Sequence, residues 1–448
     1  MKDGFIKAAS ASPVIKVADT EYNAQRVIET IKAADEMGVK MLVFPELVLT
    51  GCTCYDLTGH NVVLRGAKKA LLEVIAASEG VDMLVFVGLP IAVGSRLYSC
   101  AAAIYDGELL GLVPRENVRG TQFAEPADSY VEVEIDAEHV AVLSTDYVFT
   151  CAALPDLKVA AELGADIDVL VPPSVRHAQA GATVIAQLAS FPETVTSADE
   201  AELTLRSQSR RLHCGMIMAA PGKGESTTDN VFSGLCMIAE NGEILAASEC
   251  ENSMAVTELD VEYIVNTRRG SDDFDLDSDE DYEAVWGGEP VETELTRSYR
   301  KYPHLPADEA DMPAYCERML DIQVSGLVKR MQYASLDHCV VGISGGVDST
   351  LAVMVSAMAV KKLGLPSTNV VACTMPCFGT SSRTKSNAIV VAEQIGAEVR
   401  VIDIGKSVYQ HFDDIGHAHD DYSIAFENAQ ARERTQVLMD IANKLNGL

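Results

Sequence analysis

Apolar and polar positions follow two rhythms along this chain, and the rhythm changes where the elements change. Phe5 to Val14 is a largely apolar run with the length of a buried strand. From Asn23 to Met37 the spacing turns helical, with Ala24, Val27, Ile28, Ile31 and Ala34 on one face. Met41-Leu42-Val43-Phe44-Pro45-Glu46 is again strand-like and delivers a carboxylate at its end. A helix over Ala67 to Ser78 and a strand over Met83 to Leu89 repeat the unit. Ala101 to Tyr105 and Leu109 to Pro114 flank Asp106-Gly107, a hairpin signal. Val140 to Leu143, Val169 to Val171 and Cys214 to Ala220 read as further strands. A second hairpin joins Leu235–Ala239 to Ile244–Ser248 through Asn241-Gly242. Alternating strands, helices and hairpins predict a layered α/β domain with a mixed sheet.

The pattern breaks at Ser271 to Glu283, an acidic run with little to bury, which reads as a linker. A helix over Met312 to Met331 then feeds the strand Cys339 to Ile343. Strands at Val370 to Pro376 and Val399 to Ile404 alternate with helices over Leu351 to Val360, near Lys361 and over Ser386 to Ile395, which predicts a parallel sheet. The boundaries expected are 1–262 for the first domain, 263–310 for an acidic linker and 311–448 for the second domain. Glu427 to Leu445 has the spacing of an amphipathic helix.

Composition narrows the functions available. A chain of 448 residues, 48% hydrophobic, has room for two or three cores. Its net charge of -31 argues against nucleic acid or an anionic membrane as partner, though not against a local nucleotide site. No apolar run reaches membrane-spanning length, and Met1 to Phe5 has no signal-peptide pattern. Eleven cysteines lack metal or disulfide spacing, Cys52-Thr53-Cys54 being too tight for a zinc pair. A reducing cytoplasm is the expected compartment.

The chemistry concentrates at Gly342-Ile343-Ser344-Gly345-Gly346-Val347-Asp348-Ser349-Thr350, a glycine-rich turn between a strand and a helix. Glycines let backbone N–H groups close on an anion, and the helix start adds its positive end. Asp348 is a candidate ligand for a Mg²⁺ shared with phosphates. No Gly-Lys-Ser/Thr follows, so this is not a Walker loop. It resembles the pyrophosphate loop of ATP pyrophosphatases. That resemblance implies ATP binding by Gly342, Ser344, Gly345, Gly346, Val347, Asp348 and Ser349.

Phe44-Pro45-Glu46-Leu47 with Thr50-Gly51-Cys52-Thr53-Cys54-Tyr55-Asp56-Leu57 resembles the first motif of the nitrilase superfamily. Leu89 to Pro114, Gly224 to Asp229 and Val231 to Gly234 also look like the glutaminase domain of glutamine-dependent NAD synthetases. Together with the loop at Ser344, the resemblance covers nearly the whole chain. It implies a nitrilase-like αββα sandwich followed by a partial Rossmann-like parallel sheet domain of the adenine nucleotide alpha hydrolase type.

The resemblance also exposes departures. Such amidases use Glu, Lys and Cys: a thiolate attacks the amide, a carboxylate moves protons and a lysine supports the tetrahedral intermediate. Glu46 matches, Arg115 stands where the lysine is expected, and Ser144 is expected at the cysteine position, after the strand Val140 to Leu143. Arginine stays protonated and serine is a weak nucleophile, so glutamine hydrolysis is expected to be lost. Cys151 is expected to be a small buried residue.

Further along, Thr380 to Thr384 fits a phosphate-facing loop. In the segment Phe426 to Arg434, Asn428 and Arg434 are implied donors to nicotinic acid adenine dinucleotide. The family's later Gly-Thr-Gly-Asp-Leu-Ser-Glu turn is missing before Leu448. Either a truncated portion or a natural remnant that relies on a partner is expected, as a homo-oligomer or with an intact paralogue. The implied activity is ATP- and Mg²⁺-dependent amidation of nicotinic acid adenine dinucleotide to NAD⁺, impaired or inactive in this chain alone. The alternatives are a non-catalytic assembly subunit and a hydrolase with Ser144 as an altered nucleophile.

Overall fold

The computed structural model describes residues 2–448 except 127–129, 250–251, 272, 275–281, 289 and 379–388. The chain divides into two compact units, Met1–Ser298 and Tyr299–Leu448.

The first unit opens with β1 (Phe5–Ser12), β2 (Met41–Val43), β3 (Leu84–Val93), β4 (Arg96–Tyr105), β5 (Glu108–Pro114), β6 (Val131–Glu134) and β7 (Val140–Leu143). It continues with β8 (Tyr147–Cys151), β9 (Lys158–Leu163), β10 (Val184–Leu188), β11 (Gly215–Ala219), β12 (Cys236–Glu240) and β13 (Glu243–Ser248). The last two strands are β14 (Ser253–Asp260) and β15 (Tyr282–Trp286). They form two mixed sheets, β14-β1-β2-β3-β4-β5-β7-β6 and β13-β12-β11-β10-β9-β8-β15.

Three apolar layers hold the sheets and their helices together. Ala24, Val27 and Ile31 of α1 (Thr20–Glu36) and Leu71 and Val74 of α2 (Asn61–Ala77) pack on one face of the first sheet. Between the sheets, Phe86 and Met41 meet Phe149, Val159 and Ile217. On the far face of the second sheet, Ala178 of α3 (Pro173–Gln179) and Leu205 of α4 (Ser197–Leu212) cover Ile185 and Met216. The order is therefore αββα, as the resemblance implies. Strands covered on both faces are apolar throughout, which is why β3 carries no clean alternation.

Both hairpin turns form where expected. Asp106 and Gly107 have φ of 46° and 78°, and Asn241 and Gly242 have φ of 47° and 90°. Two consecutive left-handed residues match the twist of the strands they join.

Two expectations need correction. Val169 to Val171 is not a strand: Leu170 is 97% exposed, and the paired strands nearby are β9 and β10. The stretch from 263 to 310 is not linker throughout. Its first part is α5 (Val261–Arg268), and β15 within it pairs in parallel with β8, from Tyr282↔Tyr147 to Trp286↔Cys151. Trp286 explains this, since its ring is buried against the inter-sheet core and its indole N–H donates to the Phe149 carbonyl at 3.2 Å. Most of the acidic run itself lies outside the described residues.

The second unit has a parallel sheet, β16 (Cys339–Gly342), β17 (Val370–Thr374) and β18 (Glu398–Val401). Met331 of α6 (Met312–Ala334) and Val353 and Val360 of α7 (Val347–Lys362) cover one face. Val408 and Phe412 of α8 (Gly405–Ile415) and Phe426 and Ala429 of α9 (Ile424–Lys444) cover the other. No helix among the described residues is long and apolar enough to cross a membrane.

Candidate active site

Glu46 is carried by a backbone that passes unusually close to β3. A Cβ on Gly88 would lie 2.4 Å from Leu47 N and 2.5 Å from the Pro45 carbonyl, so only glycine fits there. Leu47 is left-handed at φ 58°, which turns the chain sharply after the carboxylate. Glu46 is 1% exposed. The Ser99 hydroxyl on β4 donates to its Oε1 at 2.6 Å, and Arg115 Nη1 reaches both carboxylate oxygens at 3.3 Å.

Arg115 follows β5, and its backbone N–H donates to the Ser99 carbonyl at 2.8 Å. Its Nε donates to the Asn117 carbonyl at 2.8 Å. The buried Asp166 carboxylate fixes this segment by accepting the N–H groups of Glu116 at 3.1 Å, Asn117 at 2.6 Å and Leu163 at 3.2 Å. Burial is the largest influence on Asp166 and raises its pKa to about 6, against the pull of those bonds.

What faces the Glu46–Arg115 pair from the second sheet is Gly164, immediately after β9. A Cβ there would lie 2.5 Å from Glu46 Oε2 and 2.6 Å from Arg115 Cζ and Nη1. Its φ is 54°, and Gln187 Nε2 donates to its carbonyl at 3.0 Å.

Ser144 does not join this group. Its hydroxyl accepts from the Asp146 N–H at 3.2 Å, and it is not among the residues lining the cavity beside Glu46. The sheet order explains the failure. Ser144 follows β7, four places from β2 in the first sheet. At about 4.8 Å per place, that is roughly 19 Å, beyond a serine side chain. Arg115, one strand nearer, has the length to reach. From the facing sheet it is the backbone of Gly164 that comes up against Glu46. A search for Cys or Ser passes over a glycine, and the remaining signal in the sequence is the acid Asp166 two residues beyond it.

The cavity measures about 360 Å³, and Glu46, Cys52, Tyr55, Arg115, Phe123 and Asn230 contribute to its walls. Cys52 is the thiol among them. Burial first, and then the charge of Glu225, push its pKa far above the ordinary thiol value, so it stays protonated and is a poor nucleophile. The Glu225 carboxylate accepts the N–H groups of Cys52 at 2.8 Å and Thr53 at 3.1 Å.

In the second unit, β16 ends at Gly342 and α7 begins at Val347, so the glycine turn lies at the carboxyl edge of the sheet. Gly345 takes φ 84°. The Ser344 and Ser349 hydroxyls lie 3.2 Å apart, and Ser349 and Thr350 donate to the Gly346 carbonyl at 3.1 and 2.9 Å. These bonds brace the turn and leave Asp348 exposed at its rim. An exposed carboxylate beside a glycine turn at a helix start is a donor of the kind that fits Mg²⁺, which keeps several waters and shares phosphate oxygens.

A cavity of about 330 Å³ adjoins the turn, with Gly342, Ser344, Thr374, Met375 and Arg434 in its lining. Arg434 donates from Nε to the Met375 carbonyl at 3.4 Å. Asn428 lies elsewhere, on a groove along α9 with Ala431, Arg432 and Thr435. Asn428 and Arg434 are six positions apart on the helix and therefore line different cavities. Thr380 to Thr384 falls outside the described residues.

Comparison with known proteins agrees with both halves. Residues 7–269 match the carbon-nitrogen hydrolase family, and residues 319–448 match the NAD synthase family. The glutamine-dependent NAD(+) synthetase of Mycobacterium tuberculosis is 32% identical over 468 residues, covering 99% of this chain and 69% of that protein. The enzyme of the same name from Thermotoga maritima is 25% identical, covering 100% of this chain and 74% of its own length. Among solved structures, a glutamine-dependent NAD(+) synthetase from Cytophaga hutchinsonii shares the fold, with TM-score 0.51 and 16% identity over 99% of this chain and 74% of that one. With both family models matched in one chain, and a relative 32% identical over 99% of this chain and 69% of its own length, the chain belongs to the glutamine-dependent NAD⁺ synthetase family.

Proposed function

We propose that this chain amidates nicotinic acid adenine dinucleotide to NAD⁺ with Mg-ATP, takes free ammonia as its nitrogen source, and does not hydrolyse glutamine. The observation that carries the loss of hydrolysis is the Glu46–Arg115 pair. The carboxylate that would move protons is engaged by a permanent cation and by the Ser99 hydroxyl, and no thiolate stands against it among the described residues. Ser144 is remote, and Cys52 is held protonated.

In the second unit, the braced turn Ser344–Ser349 supports a grip on the β and γ phosphates through backbone N–H groups and the start of α7. Asp348 is the residue that would hold Mg²⁺, which supplies charge neutralisation to the phosphates. The nicotinate carboxylate oxygen attacks the α-phosphorus and pyrophosphate leaves. Ammonia then attacks the acyl carbon and AMP leaves. Arg434, beside Ser344 in the adjoining cavity, is the cation in position to pair with a phosphate or carboxylate of the substrates.

The test compares nitrogen sources. NAD⁺ formation with ammonium and none with glutamine is the expected result. Glutamate released from glutamine would overturn the loss of hydrolysis. No NAD⁺ with either source would overturn the synthetase reading in favour of a non-catalytic assembly subunit.

A further inference from the structure

We infer that residue 164 is the nucleophile position of this hydrolase unit, and that Gly164 and Arg115 act as a coupled pair in which the guanidinium takes the space a side chain at 164 requires. The inference rests on the reading that glutamine is not hydrolysed, and it goes further by locating what is missing. Three observations converge. The Cβ of any residue at 164 points at Glu46 Oε2 and at Arg115 Cζ, both within 2.6 Å. The backbone at 164 is held from two sides, by Gln187 on its carbonyl and by Asp166, which ties Leu163 N–H to the Arg115 segment. Glu46 is already aimed into the same space by the Ser99 hydroxyl. The site thus keeps an oriented carboxylate and a fixed backbone, and lacks only a short nucleophilic side chain and the room for it.

The pair makes the two single changes unequal to the double one. Gly164→Cys alone drives Sγ into the planar guanidinium. Arg115→Lys alone leaves nothing to react. Lysine replaces the branched fork with a slim stem and one compact head, which opens the space facing residue 164. In Gly164→Cys/Arg115→Lys, the sulfur attacks the carbonyl carbon of a primary carboxamide. Its proton passes to Glu46 and on to the leaving nitrogen, the C–N bond breaks and ammonia departs. Water then cleaves the thioester, returning a proton to sulfur and releasing the carboxylic acid.

The experiment measures glutamate release from glutamine and iodoacetamide labelling mapped by peptide mass, on the full chain and its three variants. Labelling at residue 164 and glutamate release at least tenfold above the native chain, in the double variant only, are expected. A double variant that folds, with a melting temperature near native, and gives neither signal would overturn the assignment. If it does not fold, Gly164→Ala is compared with Gly164→Ala/Arg115→Lys by thermal unfolding. Relief of the Gly164→Ala loss by the lysine supports the pair, and additive losses overturn it. These readouts do not depend on NAD⁺ synthesis, so failure of the synthetase reading leaves them intact.

Discussion

Single residues decide whether each half of the chain keeps its chemistry. Glu46 and Arg115 form an ion pair that is 1% and 11% exposed at the side chain. A buried pair of this kind gains less from attraction than it loses if one partner is removed, so it is better seen as a lock on geometry than as a source of stability. The opposite holds at Asp348, which is exposed in the first turn of α7. Its worth lies in a ligand. Isothermal titration with Mg-ATP should show binding that Asp348→Ala weakens by about tenfold, or 1.4 kcal/mol. Unchanged affinity in the variant would remove Asp348 from the metal site and leave the N–H groups of the turn to carry the phosphates alone.

The elements around Gly164 carry a titrating layer. Glu162 on β9 and His177 on α3 are 1% exposed, and Gln187, in register with Glu162 on β10, is fully buried. Glu162 accepts the Ser174 N–H at 3.1 Å through one oxygen, while its other oxygen, the Gln187 Oε1 and both His177 ring nitrogens have no hydrogen-bond partner among the described residues. Burial raises the Glu162 pKa from 4.5 to about 8 and lowers that of His177 from 6.5 to about 3. Glu162 binds its proton more tightly folded than unfolded, so its contribution is complete below pH 4.5 and is lost as pH rises toward 8. His177 does the reverse: its contribution is complete above pH 6.5 and is lost as pH falls toward 3. Thermal unfolding across pH 3 to 9 should therefore peak between about 4.5 and 6.5, with each group worth a few kcal/mol over its window. Glu162→Gln should flatten the alkaline side, and an unchanged slope there would show that Glu162 does not titrate in that window. Asp166, raised to about 6, adds to the same slope and persists in the variant.

This is also the region where the sequence was hardest to read. Lys158 to Leu163 is rich in alanine and interrupted by Glu162, so neither its composition nor its period marks a strand. It becomes one because β10 pairs with it in parallel and β8 on its other side antiparallel. By contrast, β2 and the β4–β5 hairpin were readable from apolar runs and a two-residue turn alone, since those signals are local. Glu46 and Arg115 could be found by type and motif. Their meeting with residue 164 depends on two sheets facing each other, and a glycine offers no functional group to search for.

For the whole molecule, the division between the units falls in an open stretch. Tyr299 and Tyr302 are 57% and 60% exposed, just beyond the last residue of the first unit. Limited digestion with chymotrypsin should cut there first and leave the first unit intact, because its three apolar layers close within residues up to Ser298. Mg-ATP should slow later cuts in the second fragment and leave those in the first unchanged. Protection of the first fragment would place nucleotide in the wrong half. The crowding of Arg115 against Gly164 has a historical side as well. A lineage that places cysteine at 164 first meets a clash with Arg115, and one that places lysine at 115 first has no nucleophile at 164. On the proposed reading of the pair neither single step gives a reaction, so the pair would work as a ratchet against a stepwise return to amide hydrolysis.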